Sequence, residues 1–436
     1  MTYLVDQQAA PLDVEPVTQD ETVLRERIVD IPIARGSVRG QLFRRMVPRL
    51  VRQVATGTLD LHLPDGTVLH GGSHPEGLVA RIDVHDERVF QQVAARGQRG
   101  FGEAYVLGMW SSPDPAIALE VIARAAAANA TRFPMRWIRL AQRLRPTWQR
   151  RNGQRSAQRH VAYHYDLGND FFEQFLDPTM TYSCAVFDPA RPADLEAAQV
   201  AKYEAICAQL DIGAEDHVLE IGCGWGGFAM HVARTRGARV TAVTISEQQF
   251  ELARTRVADA NLEGLVEIRL SDYRLVEGRF DHIVSIEMLE AVGAREYGRF
   301  FRTVDRLLAP GASALIQTIA FQDRDYPRQL RSRGWIRRYV FPGGMLPTVT
   351  VLARTMTRVS SLQMHGLTEI GQHYGPTLRL WRERLLTSAD TLQDRGYGPR
   401  LRRSWEYYLA ICEAGFRSGH LRTMQLVVTR AGTVRG

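Results

Sequence analysis

Gly222, Gly224 and Gly227 stand in the stretch HVLEIGCGWGGFAMHVA, residues 217–233, where a strand-like run turns through glycines into a helix-like pattern. Glycines at that spacing satisfy G-x-G-x-x-G, so a dinucleotide cleft is the first chemistry to weigh. Such a cleft needs an acid about 20 residues on to grip the ribose. The second strand instead ends VTAVTIS, with Thr244 near its tip and no acid before Glu247. A carboxylate, Glu220, stands two residues before the first glycine. Pyrophosphate gains nothing from a neighbouring negative charge, whereas a sulfonium or ammonium does. S-adenosyl-L-methionine carries both cations. Asp272, just past the third strand in RLSDYRL, is suited to accept from its adenine amine.

The elements that would position these residues follow from periodicity. From about residue 200, HVLEIG, RVTAVTI, VEIRL, DHIVSIE and SALIQTIA read as strands, with helices between them, one opening at Ser246 and another near Arg295. That rhythm predicts a doubly wound α/β sheet with ligands at the carboxyl ends of its strands. Residues 330–390 read as helical, broken by Pro342, Pro347 and Pro376, and MQLVVTR near the end reads as a closing strand.

The expected organisation is a flexible arm over 1–36, a small α+β domain over 37–130, a basic linker over 131–160 and the α/β domain over 161–436. In the small domain LDLHLPDGTVLHGG reads as a hairpin around Asp65-Gly66, and GLVARIDVHD alternates like a strand. The helix QLFRRMVPRLVRQV groups Leu42, Phe43, Met46, Val47, Leu50, Val51 and Val54 on one face, with Arg44, Arg45, Arg49 and Arg52 off it. Such a helix either packs its stripe on its own domain or lies in an anionic bilayer surface.

The 436-residue chain has a formal charge of +7, and Lys202 is its sole lysine. Residues 131–160 hold nine arginines and no acid, as a solvated linker or as a surface for anionic headgroups. No helix-turn-helix, zinc or RNA-binding signature accompanies the charge, so nucleic acid is not an expected partner. No apolar run approaches the roughly 18 residues of a membrane span, and the acidic start lacks the pattern of a secretory signal. Cys184, Cys207, Cys223 and Cys412 show no C-x-x-C spacing, which argues against a disulfide framework or a zinc site. The expected location is the cytoplasm, at the inner face of the cell membrane.

The motifs HYDLGNDFFEQFLDPTMTYSCAVF, GCGWGG, SIEMLEAVG, YVFPGGMLP and HYGPTLRLWRERL, in that order, resemble the cyclopropane-fatty-acyl-phospholipid and mycolic acid cyclopropane synthase family. The likeness runs from about residue 160 to the end. RGFGEAYVLGMW extends it more faintly into the amino-terminal lipid-binding domain of the bacterial enzymes. The resemblance implies a class I S-adenosylmethionine-dependent methyltransferase, Rossmann-like, that alkylates the double bond of unsaturated, oleoyl-type phospholipids through a carbocation. It implies bicarbonate as the base, held by Cys184, Glu290, the Ile319 backbone and Tyr374, with Gln317 where the family carries a further histidine ligand. The implied cofactor contacts are Tyr165, Tyr182 and Ser183 ahead of the sheet, Glu220, Gly222 and Gly224 at the first turn, Thr244 and Gln249 after the second strand, and Asp272 and Tyr273 after the third. Read alone, Cys184 would be a small core residue and Tyr374 an ordinary interface tyrosine.

Two departures bear on the product. Gln317 can donate to an oxyanion but neither carries charge nor relays a proton. Glu287, in SIEMLEAVG, adds an acid where mycobacterial members have glycine. The pattern looks closest to actinobacterial synthases of methylene-branched acids of the tuberculostearic type, whose branch a partner reductase saturates; ring closure to a cyclopropane is the alternative. A homodimer is also compatible with the sequence.

Overall fold

The computed structural model describes residues 28, 30–72, 77–129, 167–190, 193–332 and 334–430. The expected basic linker 131–160, the cofactor contact Tyr165 and the first 27 residues of the expected arm lie outside these. Ile28 and Ile31, within the stretch expected to be an arm, are buried in the main hydrophobic core.

The first sheet comprises β1 (Thr58–His62), β2 (Val68–Gly71), β3 (Val79–Val84) and β4 (Trp110–Ser111), in the order β2-β1-β3-β4. The hairpin at Asp65-Gly66 forms as the sequence indicates, with Asp65 accepting from the Thr67 N–H at 2.9 Å. In β3, Ala80, Ile82 and Val84 face inward while Val79 and Arg81 face out, the alternation of a half-buried strand.

The helix Val38–Arg52 divides the apolar stripe read from the sequence. Val47 and Val51 are buried, and Val54 just beyond the helix is buried with them, whereas Val38 at 72% exposure, Leu42, Met46 and Leu50 face outward. The apolar residues thus form two faces, one packing on the domain and one uncovered.

The second sheet comprises β5 (His217–Ile221), β6 (Arg239–Thr244), β7 (Val266–Leu270), β8 (Phe280–Ile286), β9 (Leu308–Phe321), β10 (Leu362–Glu369) and β11 (Leu421–Arg430). Its order is β10-β11-β9-β8-β5-β6-β7; β5 to β9 run parallel, and β11 is antiparallel to both its neighbours. β5 is buried on both faces, as a central parallel strand must be. The region read as helical over 330–390 also holds the strand β10, and Pro376 does not break a helix. It lies in the first turn of Tyr374–Thr387, where a missing N–H costs no intrahelical bond.

The first sheet shares its core with the helical layer beside the second sheet, whose own strands are buried in two further clusters. Helix Pro115–Asn129 packs on helix Pro399–Arg417, and buried Glu120 pairs with Arg124 at 2.7 Å and Arg417 at 2.8 Å. Arg403 donates to the carbonyls of Tyr105 at 2.8 Å and Trp110 at 3.1 Å, tying the helical layer to the first sheet. No helix among the described residues is long and apolar enough to cross a membrane.

Candidate active site

The carboxyl ends of β5, β6, β7 and β8 open on one cleft, at the point where strand order reverses between β5 and β8. The chain leaves β5 through Gly222, whose φ of 84° suits glycine, and the Gly222 and Cys223 N–H groups donate to the Val243 carbonyl. A Cβ on Gly222 would stand 2.6 Å from Met288 Cγ, and one on Gly227 would stand 2.6 Å from the Tyr203 hydroxyl. The glycines therefore serve close packing across the turn, leaving the cleft floor as bare backbone.

Glu220 is 3% exposed, and burial pushes its carboxyl up to about 8, opposed by Lys202 and a backbone N–H. Its Oε2 and the Tyr273 hydroxyl have no partner among the described residues, and both residues line the cleft. An unpaired, buried carboxylate oxygen fits a ligand that brings positive charge.

The other residues expected to contact the cofactor and lying among those described also line this cleft: Tyr182, Ser183, Gly224, Thr244, Gln249 and Asp272. Thr244 Oγ1 donates to Gln249 Oε1 at 2.8 Å, which leaves the Gln249 amide nitrogen free of that bond. Asp272 is engaged by its own neighbour, accepting from Arg274 Nε at 2.8 Å and the Arg274 N–H at 3.0 Å. Ser183 Oγ accepts from Lys202 Nζ at 2.7 Å, and Tyr182 donates to the Tyr408 hydroxyl at 3.1 Å.

Beside the cleft lies the second cluster, and its wiring differs from the expected anion shell. Glu287, at the end of β8, accepts from the Tyr374 hydroxyl at 2.5 Å, from Gln317 Nε2 at 2.9 Å and from the Cys184 N–H at 2.9 Å. The Cys184 thiol points elsewhere, to the Ile370 carbonyl at 3.6 Å. Glu290 forms a separate unit with the Ile319 N–H at 2.5 Å and Thr318 Oγ1 at 2.9 Å, its Oε2 unpaired. Cys184, Gln317 and Tyr374, read as the surroundings of a bicarbonate ion, thus converge on a side chain of the protein.

Burial and the charge of Glu287 together push Glu290 up to about 8. Burial also raises Glu287, but the Tyr374, Cys184 and Gln317 donors and the Lys202 charge pull against it. Glu290 is accordingly protonated near neutrality, whereas three hydrogen-bond donors and the Lys202 ammonium favour the charged form of Glu287 against its burial.

Two site residues escaped the sequence reading. Lys202, fully buried, donates to Ser183 and to Gln199 Oε1 at 2.8 Å, and burial lowers its ammonium to about 8 against the pull of Glu287, Cys184, Asp177 and Glu220. Its being the sole lysine of an arginine-rich chain was a usable signal. In the sequence Glu287 is only an added acid, and nothing local marks its three donors.

The profile of the mycolic acid cyclopropane synthetase family matches residues 152–426. The chain belongs to that family. Among relatives of the mycolic acid cyclopropane synthetase family, the tuberculostearic acid methyltransferase UfaA1 of Mycobacterium tuberculosis is 38% identical over 88% of this chain and 91% of its own length. The cyclopropane-fatty-acyl-phospholipid synthase of Escherichia coli strain K12 is 36% identical over 80% and 88%. Among solved structures, the cyclopropane synthase MmaA2 from Mycobacterium tuberculosis superposes with a TM-score of 0.58 at 27% identity, covering 62% of this chain and 97% of its own. The mycolic acid cyclopropane synthase CmaA1, complexed with SAH and CTAB, gives 0.56 at 28% identity over 62% and 97%. Membership makes this chain an S-adenosyl-L-methionine-dependent C-methyltransferase of class I fold.

Proposed function

We propose that the protein alkylates the double bond of an unsaturated acyl chain in a membrane phospholipid, and that its product carries a methylene branch. The observation that carries this reading is the junction of two sites: Glu287 and Met288 line the cleft at the ends of β5 to β8, and Glu287 belongs to the buried carboxyl pair. A cleft that delivers a methyl group to an enclosed pair of carboxyls suits a reaction with a buried cation as intermediate.

Glu220, Gly222, Thr244, Gln249, Asp272 and Tyr273 would hold the cofactor, with Tyr182 and Ser183 closing it from the amino-terminal side. Bound there, the sulfonium supplies an electrophilic methyl group. The surrounding aromatic wall, in which Tyr182 meets Trp381 at 5.1 Å and Phe172 at 5.5 Å between ring centroids, excludes water and offers π faces to a cationic carbon. The backbone of Ile319 fixes Glu290, and Tyr374 and Gln317 fix Glu287, so both acids meet the lipid without reorganising.

Gln317 favours the methylene outcome. A neutral amide where a histidine would relay protons leaves proton removal to one fixed carboxylate, and a hydride shift followed by loss from the added methyl yields the branch. The likeness to a tuberculostearic acid methyltransferase agrees, and a reductase would then be needed to saturate the branch. The uncovered face of helix Val38–Arg52, with exposed Arg39, Arg45 and Arg49 beside Val38, Leu42 and Met46, supports docking on an anionic bilayer.

Incubation with oleoyl phosphatidylglycerol vesicles and methyl-labelled cofactor, followed by mass and proton spectra of the fatty acids, tests the reading. Vinylidene protons on the labelled product are expected. Upfield ring protons would assign cyclopropanation instead, and lipid left unlabelled would overturn the substrate class.

A further inference from the structure

We infer that Glu287 is the general base of this enzyme, a carboxylate built into the chain at the point where the sequence resemblance anticipates a diffusible bicarbonate. The inference rests on the proposed alkylation of an acyl double bond and adds to it the group that takes the proton.

Three donors from three separate parts of the chain converge on this one carboxylate: the Cys184 N–H, the Gln317 amide at β9 and the Tyr374 hydroxyl at the start of its helix. Three hydrogen bonds to the charged form favour it against the burial of the carboxyl and fix the direction in which its free lone pairs point. The Gln317 amide is held in the donating sense, because its own oxygen accepts from Gln425 Nε2 at 3.0 Å, and Gln425 in turn accepts from Gln209 Nε2 at 2.6 Å. A chain of side-chain amides running in from helix Leu195–Leu210 thus ends on Glu287.

The backbone gives an independent indication. Glu287 has a φ of 51°, in the left-handed region. Among the described residues the other non-glycine cases are Met180, Asp211 and Asn261. Aspartate and asparagine tolerate that region, and Asp211 caps a helix. Met180 and Glu287 belong to neither type, and both line the cleft. Strain kept by a side chain that has no intrinsic reason to adopt it is found where the side chain is required at that point.

The chemistry balances without any further reagent. The alkene π pair forms the bond to the methyl carbon and the former sulfur–methyl pair stays on sulfur, leaving the acyl chain cationic. For the branch, a hydride with its bonding pair first moves from the methylated carbon to the neighbouring cationic carbon. Glu287 then takes a proton from the added methyl group, and the C–H pair becomes the new π bond, whereas without that shift the same pair becomes the new σ bond of a ring. The carboxylate becomes a carboxylic acid and returns its proton to water when the product leaves. Glu290, already protonated, does not compete for the proton.

The test compares the wild-type protein with Glu287→Gln and Glu287→Gly, all bound to S-adenosylhomocysteine, for binding of carbon-13-labelled bicarbonate by NMR. Turnover of oleoyl phosphatidylglycerol is measured in parallel in carbonate-free buffer. The wild type is expected to bind no labelled bicarbonate and to turn over at the same rate, within twofold, with or without it. Removing a general base costs about 100-fold or more, so both variants should lose at least that in turnover while S-adenosylhomocysteine affinity changes less than threefold. Bicarbonate should enter the Glu287→Gly protein and restore part of its rate, and should not restore Glu287→Gln, whose amide still fills the space. Bicarbonate bound by the wild type, or turnover by Glu287→Gln within threefold of wild type, would overturn the inference. The NMR arm uses no lipid, so an error in the proposed substrate shows separately, as wild-type protein that excludes bicarbonate yet methylates no oleoyl chain.

Discussion

Gln317 Nε2 donates to Glu287 Oε1 at 2.9 Å, while Gln425 holds the opposite end of the same amide. A neutral residue at this position therefore acts on the neighbouring carboxylate through orientation. Replacing Gln317 by leucine removes one donor and should raise the Glu287 carboxyl further, moving the acid limb of the rate–pH profile upward. Gln317→His should shift product from branch toward ring; mass and proton spectra showing an unchanged product would remove Gln317 from product control.

Cofactor affinity should depend on Glu220 in a defined direction. Its carboxyl is raised to about 8, and only the ionised form attracts a cation. Affinity for S-adenosylmethionine should therefore rise with pH up to about 8 in the wild type relative to Glu220→Gln, a comparison that cancels titration of the ligand itself. Calorimetric titrations giving parallel pH curves for the two proteins would contradict this placement of the charge.

Stability of the cofactor-free protein should fall across the same range. Glu220 and Glu290 are both raised from 4.5 to about 8, so the folded state binds more protons than the unfolded state between those values. Their contribution is complete below about 4.5 and is lost as pH rises through about 8. Urea midpoints at several pH values should show the decline, and Glu220→Gln should flatten it.

Lys202 is the buried cation among Glu220, Glu287 and Asp177. Removing one member of a buried charged group typically costs about 3–5 kcal/mol. Lys202→Met should therefore unfold at markedly lower urea, and Ser183 should lose its ordering partner. Lys202→Arg should not rescue it, because the bulkier planar fork does not fit a space shaped for an ammonium held by Ser183 and Gln199.

The outward face of helix Val38–Arg52 should carry membrane association. Val38→Ser, Leu42→Ser and Met46→Ser together should weaken binding to anionic vesicles with little change in cofactor affinity. Each arginine near such a surface contributes about 1 kcal/mol at moderate salt, so Arg45→Glu with Arg49→Glu should lower partitioning at least tenfold. Flotation assays unaffected by both sets would leave this face without a bilayer role.

The sequence carried the fold where periodicity was strong. Four of the parallel strands and the glycine turn were readable because β5, β6, β8 and β9 are largely buried and glycine punctuates the turn. β10 was not, because it pairs only with β11 and leaves most of its residues exposed, so its alternation is confined to Leu362 and Met364 and stops there. The site divides in the same way. Glu220 was legible from its spacing to Gly222, whereas the hydrogen bonds of Glu287 reach 30, 87 and 103 residues along the chain, beyond any local pattern.

The left-handed backbone at Glu287 bears on how such enzymes diverge. Glutamate and glycine codons differ by a single middle base, and a peptide unit already bent for glycine accepts either residue without remodelling its loop. A lineage can thus exchange an internal proton acceptor for one drawn from dissolved inorganic carbon, or the reverse, by one nucleotide change. Its lipid chemistry would then become coupled to, or freed from, the carbon dioxide status of the cell.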